Sequence, residues 1–251
     1  HHVDLVFGTH NIYKLPEYLE TVILSKERVI EVFSEQGNII ENMPKIRENN
    51  RKAWVNIMYG CDEFCTYCIV PYTRGKERSR DKLHIISEVK QLIKDGYKEV
   101  TLLGQNVDSY KWNMNGSGEI LDPEKTTCNF AQLLEKVALV TPELRVRFST
   151  SHPKDMTDEV LETMAKYTNI ANHIHLPVQS GNNEMLYRMN RGYTREWFLA
   201  RVDAIQRILP NCTISTDIIT GFCGETEEEH KETLSLMKAV KFDFAYMYMY
   251  S

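Results

Sequence analysis

From Ala53 onward the chain alternates between short apolar runs and stretches whose apolar residues recur every three or four positions. The runs are "AWVNIMYG", "KEVTLLGQNV", "LRVRFSTSHP", "NHIHLPVQSG", "CTISTDIITGF" and "FDFAYMYMYS", rich in β-branched and aromatic residues and short enough to be strands. Between them, "DKLHIISEVKQLIKDG" sets Leu83, Ile86, Val89 and Ile93 in line and stops at Gly96. "FAQLLEKVALV", "TDEVLETMAKY", "TREWFLARVDAIQRIL" and "TEEEHKETLSLMKAV" read as helices in the same way. Strands that alternate with helices through short loops predict a parallel sheet with right-handed crossovers. A longer Gly/Asn-rich insertion interrupts the pattern from Tyr110 to Thr127. Polar residues and glycines gather directly after the strands, in "GCDEFC", "GQN", "STSHP", "PVQSG" and "TGFCGE". That is the end at which barrel folds of this kind carry their chemistry. The predicted fold class is α/β, an open or partial (β/α)6 barrel over 53–251, with the Tyr/Met run "YMYMY" assigned to its core and mouth.

Upstream, "VDLVFGT" reads as a buried strand and "NIYKLPEYLETVI" as a helix with Ile12, Leu15, Leu19 and Val22 on one face. One strand and one helix bury too little to form a core, so 1–33 reads as the tail of another domain. The polar stretch 34–52, with Gly37 and Pro44, predicts a linker. With 42% hydrophobic and 26% charged residues, the composition argues against disorder. No apolar run approaches the roughly 20 residues that span a bilayer, and no signal peptide opens the sequence, so no membrane partner is expected. Six cysteines, three of them in one short motif, do not make a secreted disulfide framework and point to a reducing cytoplasm. A net charge of −5 gives no general attraction for nucleic acid, yet "RGKERSR" sets Arg74, Lys76, Arg78 and Arg80 against Glu77 as a local basic run.

The chemistry concentrates in "YGCDEFCTYCIVPYTRGKERSR", where Cys61, Cys65 and Cys68 stand in the spacing C-x3-C-x2-C. A structural zinc site takes four ligands, usually as two close pairs. Zinc here requires a distant fourth ligand, from Cys128, Cys212, Cys223 or one of the eight histidines. A cubane iron–sulfur cluster normally has each of its four irons held by one thiolate, so three thiolates leave one iron open to a substrate or cofactor. Spacing alone leaves both readings standing.

The cysteine string, followed in order by "LLGQNVDSY", "RFSTSHP", "LPVQSGNNEMLYRMNRGYT" and "DIITGFCGETEEE", resembles the MiaB-type tRNA methylthiotransferases, a family of radical S-adenosylmethionine (SAM) enzymes. The resemblance runs from about Val3 to Ser251. Two positions depart from it: Cys223 stands where the family usually has proline, and Asn182 where it often has serine. The resemblance implies a 4Fe–4S cluster on Cys61, Cys65 and Cys68, with SAM chelated by the open iron. It places Tyr67 along the adenine of SAM, and Gln105 and Asn106 at its amino group. It sets Ser149, Ser151 and Gln179 at polar atoms of the ribose or methionine, Arg191 at the carboxylate, and Asp217 and Gly221 on the adenine side. A guanidinium fork suits a carboxylate geometrically. His152 and His175 are expected to be hydrogen-bonded structural histidines.

The implied reaction replaces hydrogen by a methylthio group at carbon 2 of an N6-isopentenyladenosine beside the anticodon. The implied partners are that tRNA stem-loop, met by the basic run, and a reducing electron donor protein, with the enzyme a monomer. Family members also carry an N-terminal domain with three more cysteines for a second 4Fe–4S cluster and a C-terminal RNA-gripping β-barrel called TRAM. Neither is expected in this sequence, which reads as the barrel preceded by a stub of the N-terminal domain. The alternatives are a sister enzyme, acting on threonylcarbamoyl-adenosine or a ribosomal-protein aspartate, and a non-catalytic zinc or scaffold module.

Overall fold

The computed structural model describes residues 2–9, 11–32, 39, 41, 46–47, 50–114 and 118–251. The predicted linker falls largely outside them. At the N-terminal side, β1 (Leu5–Phe7) and β2 (Val29–Glu31) pair in parallel around α1 (Leu15–Ser25). The second of these strands is absent from the sequence reading. The face expected to be apolar is not the buried one: Leu19 and Ile12 are exposed, and Tyr18 turns inward, where its hydroxyl meets Glu31 and Asn11.

The main domain begins at β3 (Lys52–Asn56), continued by β4 (Met58–Tyr59), which makes a short antiparallel ladder with β5 (Arg78–Ser79). Between β4 and β5 lie the cysteine loop and α2 (Val70–Arg74). There follow α3 (Lys82–Lys94), β6 (Glu99–Leu103), the small ladder β7 (Lys111–Trp112) and β8 (Cys128–Asn129), α4 (Phe130–Ala138), β9 (Arg145–Ser149) and α5 (Asp158–Lys166). The chain then runs through β10 (His173–His175), α6 (Asn183–Arg188), α7 (Arg195–Ile208), β11 (Thr213–Thr220), α8 (Glu227–Val240) and β12 (Phe244–Met249).

The parallel orders β3-β6-β9 and β10-β11-β12 are joined by 169–171: Val146 donates to the Asn169 carbonyl at 2.9 Å and accepts from the Ala171 N–H at 2.8 Å. The result is the predicted six-stranded open barrel. Inward positions alternate along the strands, so Val55, Leu102, Val146 and Ile218 meet the helices' apolar stripes in one core. The stripe of α3 is centred on Ile85, Val89 and Leu92, while the expected Leu83 is 66% exposed.

Helix starts follow the side chains that cap them. Asp81, Asn129, Thr157, Asn182, Thr194 and Thr226 each accept a backbone N–H two or three residues on. Asn182 therefore does the capping that a serine does, which accounts for that departure. The "YMYMY" segment is a correction: Tyr246, Met247, Tyr248 and Met249 on the outer strand β12 are at least half exposed, because among the described residues only β11 flanks that strand.

Candidate functional site

The cysteine loop opens on Gly60, at φ +75°, where an added Cβ would lie 2.1 Å from the Lys76 carbonyl oxygen, so only glycine fits. Cys61 N–H then donates to the Gly75 carbonyl at 3.2 Å, and Cys68 N–H to the Cys65 carbonyl at 2.9 Å. The middle of the loop is held from the opposite side of the barrel by 188–191. Thr66 donates its N–H to the Met189 carbonyl (3.2 Å) and its hydroxyl to the Arg188 carbonyl (2.8 Å). Asn190 Nδ2 donates to the carbonyls of Glu63 and Phe64, both at 3.1 Å.

Arg191 completes this clamp from a site only 4% exposed. Its Nη1 donates to Cys65 Sγ (3.3 Å) and the Tyr67 hydroxyl (3.2 Å), its Nη2 to the Pro177 carbonyl (2.7 Å), and its Nε to the Tyr193 hydroxyl (3.2 Å). The Pro177 carbonyl is available because β10 is interrupted there. Proline has no N–H to offer the ladder, and the next N–H, of Val178, is taken by Thr216 Oγ1 at 3.0 Å. Pairing resumes at Gln179, in the left-handed region at φ +74°.

Cys61, Cys65 and Cys68 all line one cavity of about 180 Å³. Seven of the nine residues expected at SAM line it with them: Tyr67, Gln105, Asn106, Ser151, Gln179, Arg191 and Asp217. Ser149 and Gly221 do not. Ser149 Oγ sits 3.5 Å from Thr150 Oγ1, and Gly221 is an exposed turn residue whose N–H donates to Glu225. The sequence reading missed Glu63, Thr150 and Pro177 in the wall. Thr150 carries a signal visible only in the backbone, φ +73°, strained for a β-branched residue.

His152 is a second correction. It is buried and lines the cavity, but neither ring nitrogen has a hydrogen-bond partner among the described residues. His175 is bonded as expected, to Ser215 Oγ at 2.9 Å and Asp217 Oδ2 at 3.4 Å. A third correction concerns Arg80. It is buried, with its guanidinium on Glu41, Glu88 and the Asn56 carbonyl, and so cannot meet RNA, whereas Arg74 and Lys76 are exposed.

Burial sets the electrostatics of the wall. It pushes the Cys61 thiol up to about 11, with Glu63 and Cys65 adding in the same direction against the backbone N–H of Glu63. A metal must therefore displace that proton to bind. Burial, then the Arg191 charge, drives His152 down to about 3, so it is a neutral ring. Glu63, His152 and Asp155 each bring one ligand atom within 4.8 Å of the others. Lys154 Nζ already donates to both carboxylates at 3.1 Å, which supplies the cation that such a group calls for.

The residues fit a cluster with SAM. Three soft thiols line one cavity, while Cys128, Cys212 and Cys223 are absent from the lining. Ser151 Oγ, Gln179 Oε1 and both His152 nitrogens are buried without partners among the described residues. Such atoms cost about 1–3 kcal/mol each unless a polar ligand meets them.

Comparison with known proteins agrees. The Radical SAM superfamily model matches residues 55–237. The chain is 57% identical, over 249 residues, to a protein of Staphylococcus haemolyticus named tRNA-2-methylthio-N(6)-dimethylallyladenosine synthase, covering 99% of this chain and 46% of that one. A protein of the same name from Geobacillus thermodenitrificans is 52% identical, with coverage of 100% and 46%. The chain thus spans about half the length of these relatives. Among solved structures, the radical SAM methyltransferase TsrM of Kitasatospora setae superposes with a TM-score of 0.61 at 14% identity, over 84% of this chain and 39% of that one. Coproporphyrinogen III oxidase of Escherichia coli gives 0.53 at 17% identity, over 80% and 44%. On the family match and the three-thiol loop at the mouth of an open parallel barrel, the chain belongs to the radical SAM superfamily.

Proposed function

We propose that this chain is the SAM-cleaving barrel of a tRNA methylthiotransferase that converts N6-isopentenyladenosine beside the anticodon into its 2-methylthio derivative. The observation that carries the reading is identity above 50% over nearly the whole chain with proteins named for that reaction. In this reading Cys61, Cys65 and Cys68 hold a 4Fe–4S cluster, and SAM lies against Tyr67, Gln105, Asn106, Ser151, Gln179, Arg191 and Asp217. When bound, the cluster and SAM supply the reducing electron and the radical chemistry that opens the adenine C2–H bond. The second 4Fe–4S cluster and the RNA-gripping domain belong to the longer protein.

The chain's own residues bind, orient and shield. The partnerless atoms Ser151 Oγ and Gln179 Oε1 receive polar groups of SAM, and the neutral His152 ring offers it one donor and one acceptor. Arg191 has five N–H donors, of which four are bonded, and the remaining Nη2 hydrogen is the one a carboxylate takes. Ser149 and Gly221, outside the wall, receive no role. Beside the cavity, and sharing Glu63 with it, lies a second hollow of about 670 Å³ bordered by Arg78, Lys111, Trp112 and Lys125. Asp62, Glu63, Glu77 and Asp155 balance its cations and Lys82 covers the Trp112 ring, so RNA phosphates are better met by the exposed Arg74 and Lys76 beside it. A low-potential electron donor protein completes the set of partners.

The test is mass analysis of tRNA nucleosides from cells lacking the gene. The 2-methylthio mark on isopentenyladenosine should vanish and return with the wild-type gene but not with Cys65→Ala. Retention of the mark in the deletion strain, with loss of a mark on threonylcarbamoyl-adenosine instead, assigns the sister reaction and overturns this one.

A further inference from the structure

We infer that Arg191 sets the reduction potential of the cluster through its N–H···S hydrogen bond to Cys65, as a positioning residue whose first contact is the cluster ligand. The inference rests on the cluster reading above. A guanidinium 4% exposed is fixed by the Pro177 carbonyl, the Tyr193 hydroxyl and the Tyr67 hydroxyl, so that one Nη1 hydrogen points at Cys65 Sγ at 3.3 Å. Hydrogen bonds to cluster sulfurs and nearby charge are the protein's means of setting such potentials. Reduction adds a negative charge to the cluster, and a buried cation that donates to one of its sulfurs stabilises the reduced form more than the oxidised form. Low local dielectric strengthens the effect.

The fold provides this at some cost. A charged group is buried, and β10 is broken at Pro177 to free the carbonyl that orients it. Asn190 and Thr66 already fasten the loop through its backbone, so Arg191 is not needed simply to hold it down. What Arg191 adds, and they do not, is contact with sulfur.

The experiment is an EPR-monitored redox titration of the reconstituted protein, without SAM, with iron and sulfide measured on the same samples. Arg191→Met should lower the reduction equilibrium constant at least tenfold, which for one electron is a potential lower by about 59 mV. Arg191→Lys keeps the charge but cannot reach Pro177, Tyr67 and Cys65 together, and should show a smaller fall. Asn190→Gly preserves the left-handed backbone at φ +55° and removes two loop bonds without touching sulfur. It should lose iron faster while its potential stays at the wild-type value.

A fully iron-loaded Arg191→Met protein with the wild-type potential overturns the inference. So does an Asn190→Gly protein with the same shift, because loop looseness then explains both. If Arg191→Met retains no iron, Arg191→Lys decides, and a wild-type potential there overturns the inference. Reconstituted wild-type protein without iron overturns the cluster reading itself.

Discussion

Asp108 is the least comfortable residue in the barrel, and replacing it by asparagine should stabilise the protein in a strongly pH-dependent way. Its carboxylate is buried near the Ser151 hydroxyl, which favours the charged form only weakly, and neither oxygen makes a hydrogen bond of normal length among the described residues. Burial raises it from 3.8 to about 7. The folded chain therefore keeps a proton that the unfolded chain releases near pH 4. Between those two values the native state binds more protons than the unfolded state, so stability falls as pH rises, and the full cost is reached above pH 7. A shift of about 3 units, at 1.36 kcal/mol each, is on the order of 4 kcal/mol. The asparagine side chain is nearly isosteric with that of aspartate and does not titrate. The gain from Asp108→Asn should then be about 2–3 kcal/mol larger at pH 8 than at pH 5. Comparing the two pH values cancels the amide's own burial cost and every group that titrates alike in both proteins. The assay is urea unfolding of both proteins at pH 5, 6.5 and 8, at constant ionic strength and under anaerobic reducing conditions. A stability difference that is flat with pH, or larger at pH 5, would falsify the argument.

Three further outcomes follow from the same geometry. Cys65→Ala should abolish iron binding on anaerobic reconstitution while Cys223→Ala leaves it intact; full iron in the Cys65 variant removes that residue from the ligand set. Arg80→Leu removes the buried cation shared by the half-buried Glu41 and Glu88, leaving Glu88 with Arg47, and should cost about 1.5–3 kcal/mol in denaturant unfolding, whereas Arg74→Ala should spare stability but reduce the salt slope of RNA binding by about 1, and the reverse pattern refutes both assignments. Gly60→Ala drives a methyl into the Lys76 carbonyl oxygen and should lower both melting temperature and iron content, so a normal melting curve with full iron shows that the loop tolerates a different path.

What could be read from the sequence, and what could not, divides by the range of the cause. The strands and helices of 53–251 follow from local periodicity, and the three cysteines announce themselves by covalent spacing. The SAM-side residues were reachable through the family resemblance, which does not say which side chains face the cavity: Ser149 and Gly221 lie outside its wall. Helix α6 is six residues long, less than two turns, and leaves no periodicity to detect. Arg80 sits among surface cations in the sequence, and its partners Glu41, 39 residues earlier, Glu88 and the Asn56 carbonyl turn it inward. His152 looks like any core histidine until the missing partners are seen. Burial and long-range pairing decide these cases, and neither is written in a local pattern.

The two sides of the cysteine loop are built on opposite principles, and the contrast bears on function. Facing the barrel wall at 188–191, polar groups are paired: Thr66 makes two bonds, Asn190 two and Arg191 four. Facing the cavity, Ser151 Oγ, Gln179 Oε1 and the His152 ring have no partner among the described residues, and two wall residues, Thr150 and Gln179, hold left-handed backbone. Buried atoms without partners occur elsewhere among the described residues, at Asn11 Oδ1 and on Asp108 for example, but on this wall four of them meet around one cavity, where a polar ligand is needed. The paired side fixes where the thiols stand before any metal arrives. The unpaired side carries a penalty that only a ligand of matching polarity removes, so binding there is linked to stability of the native state. Pre-organised thiols beside an unsatisfied polar wall are what a cluster that must chelate a second, polar cofactor requires of its protein.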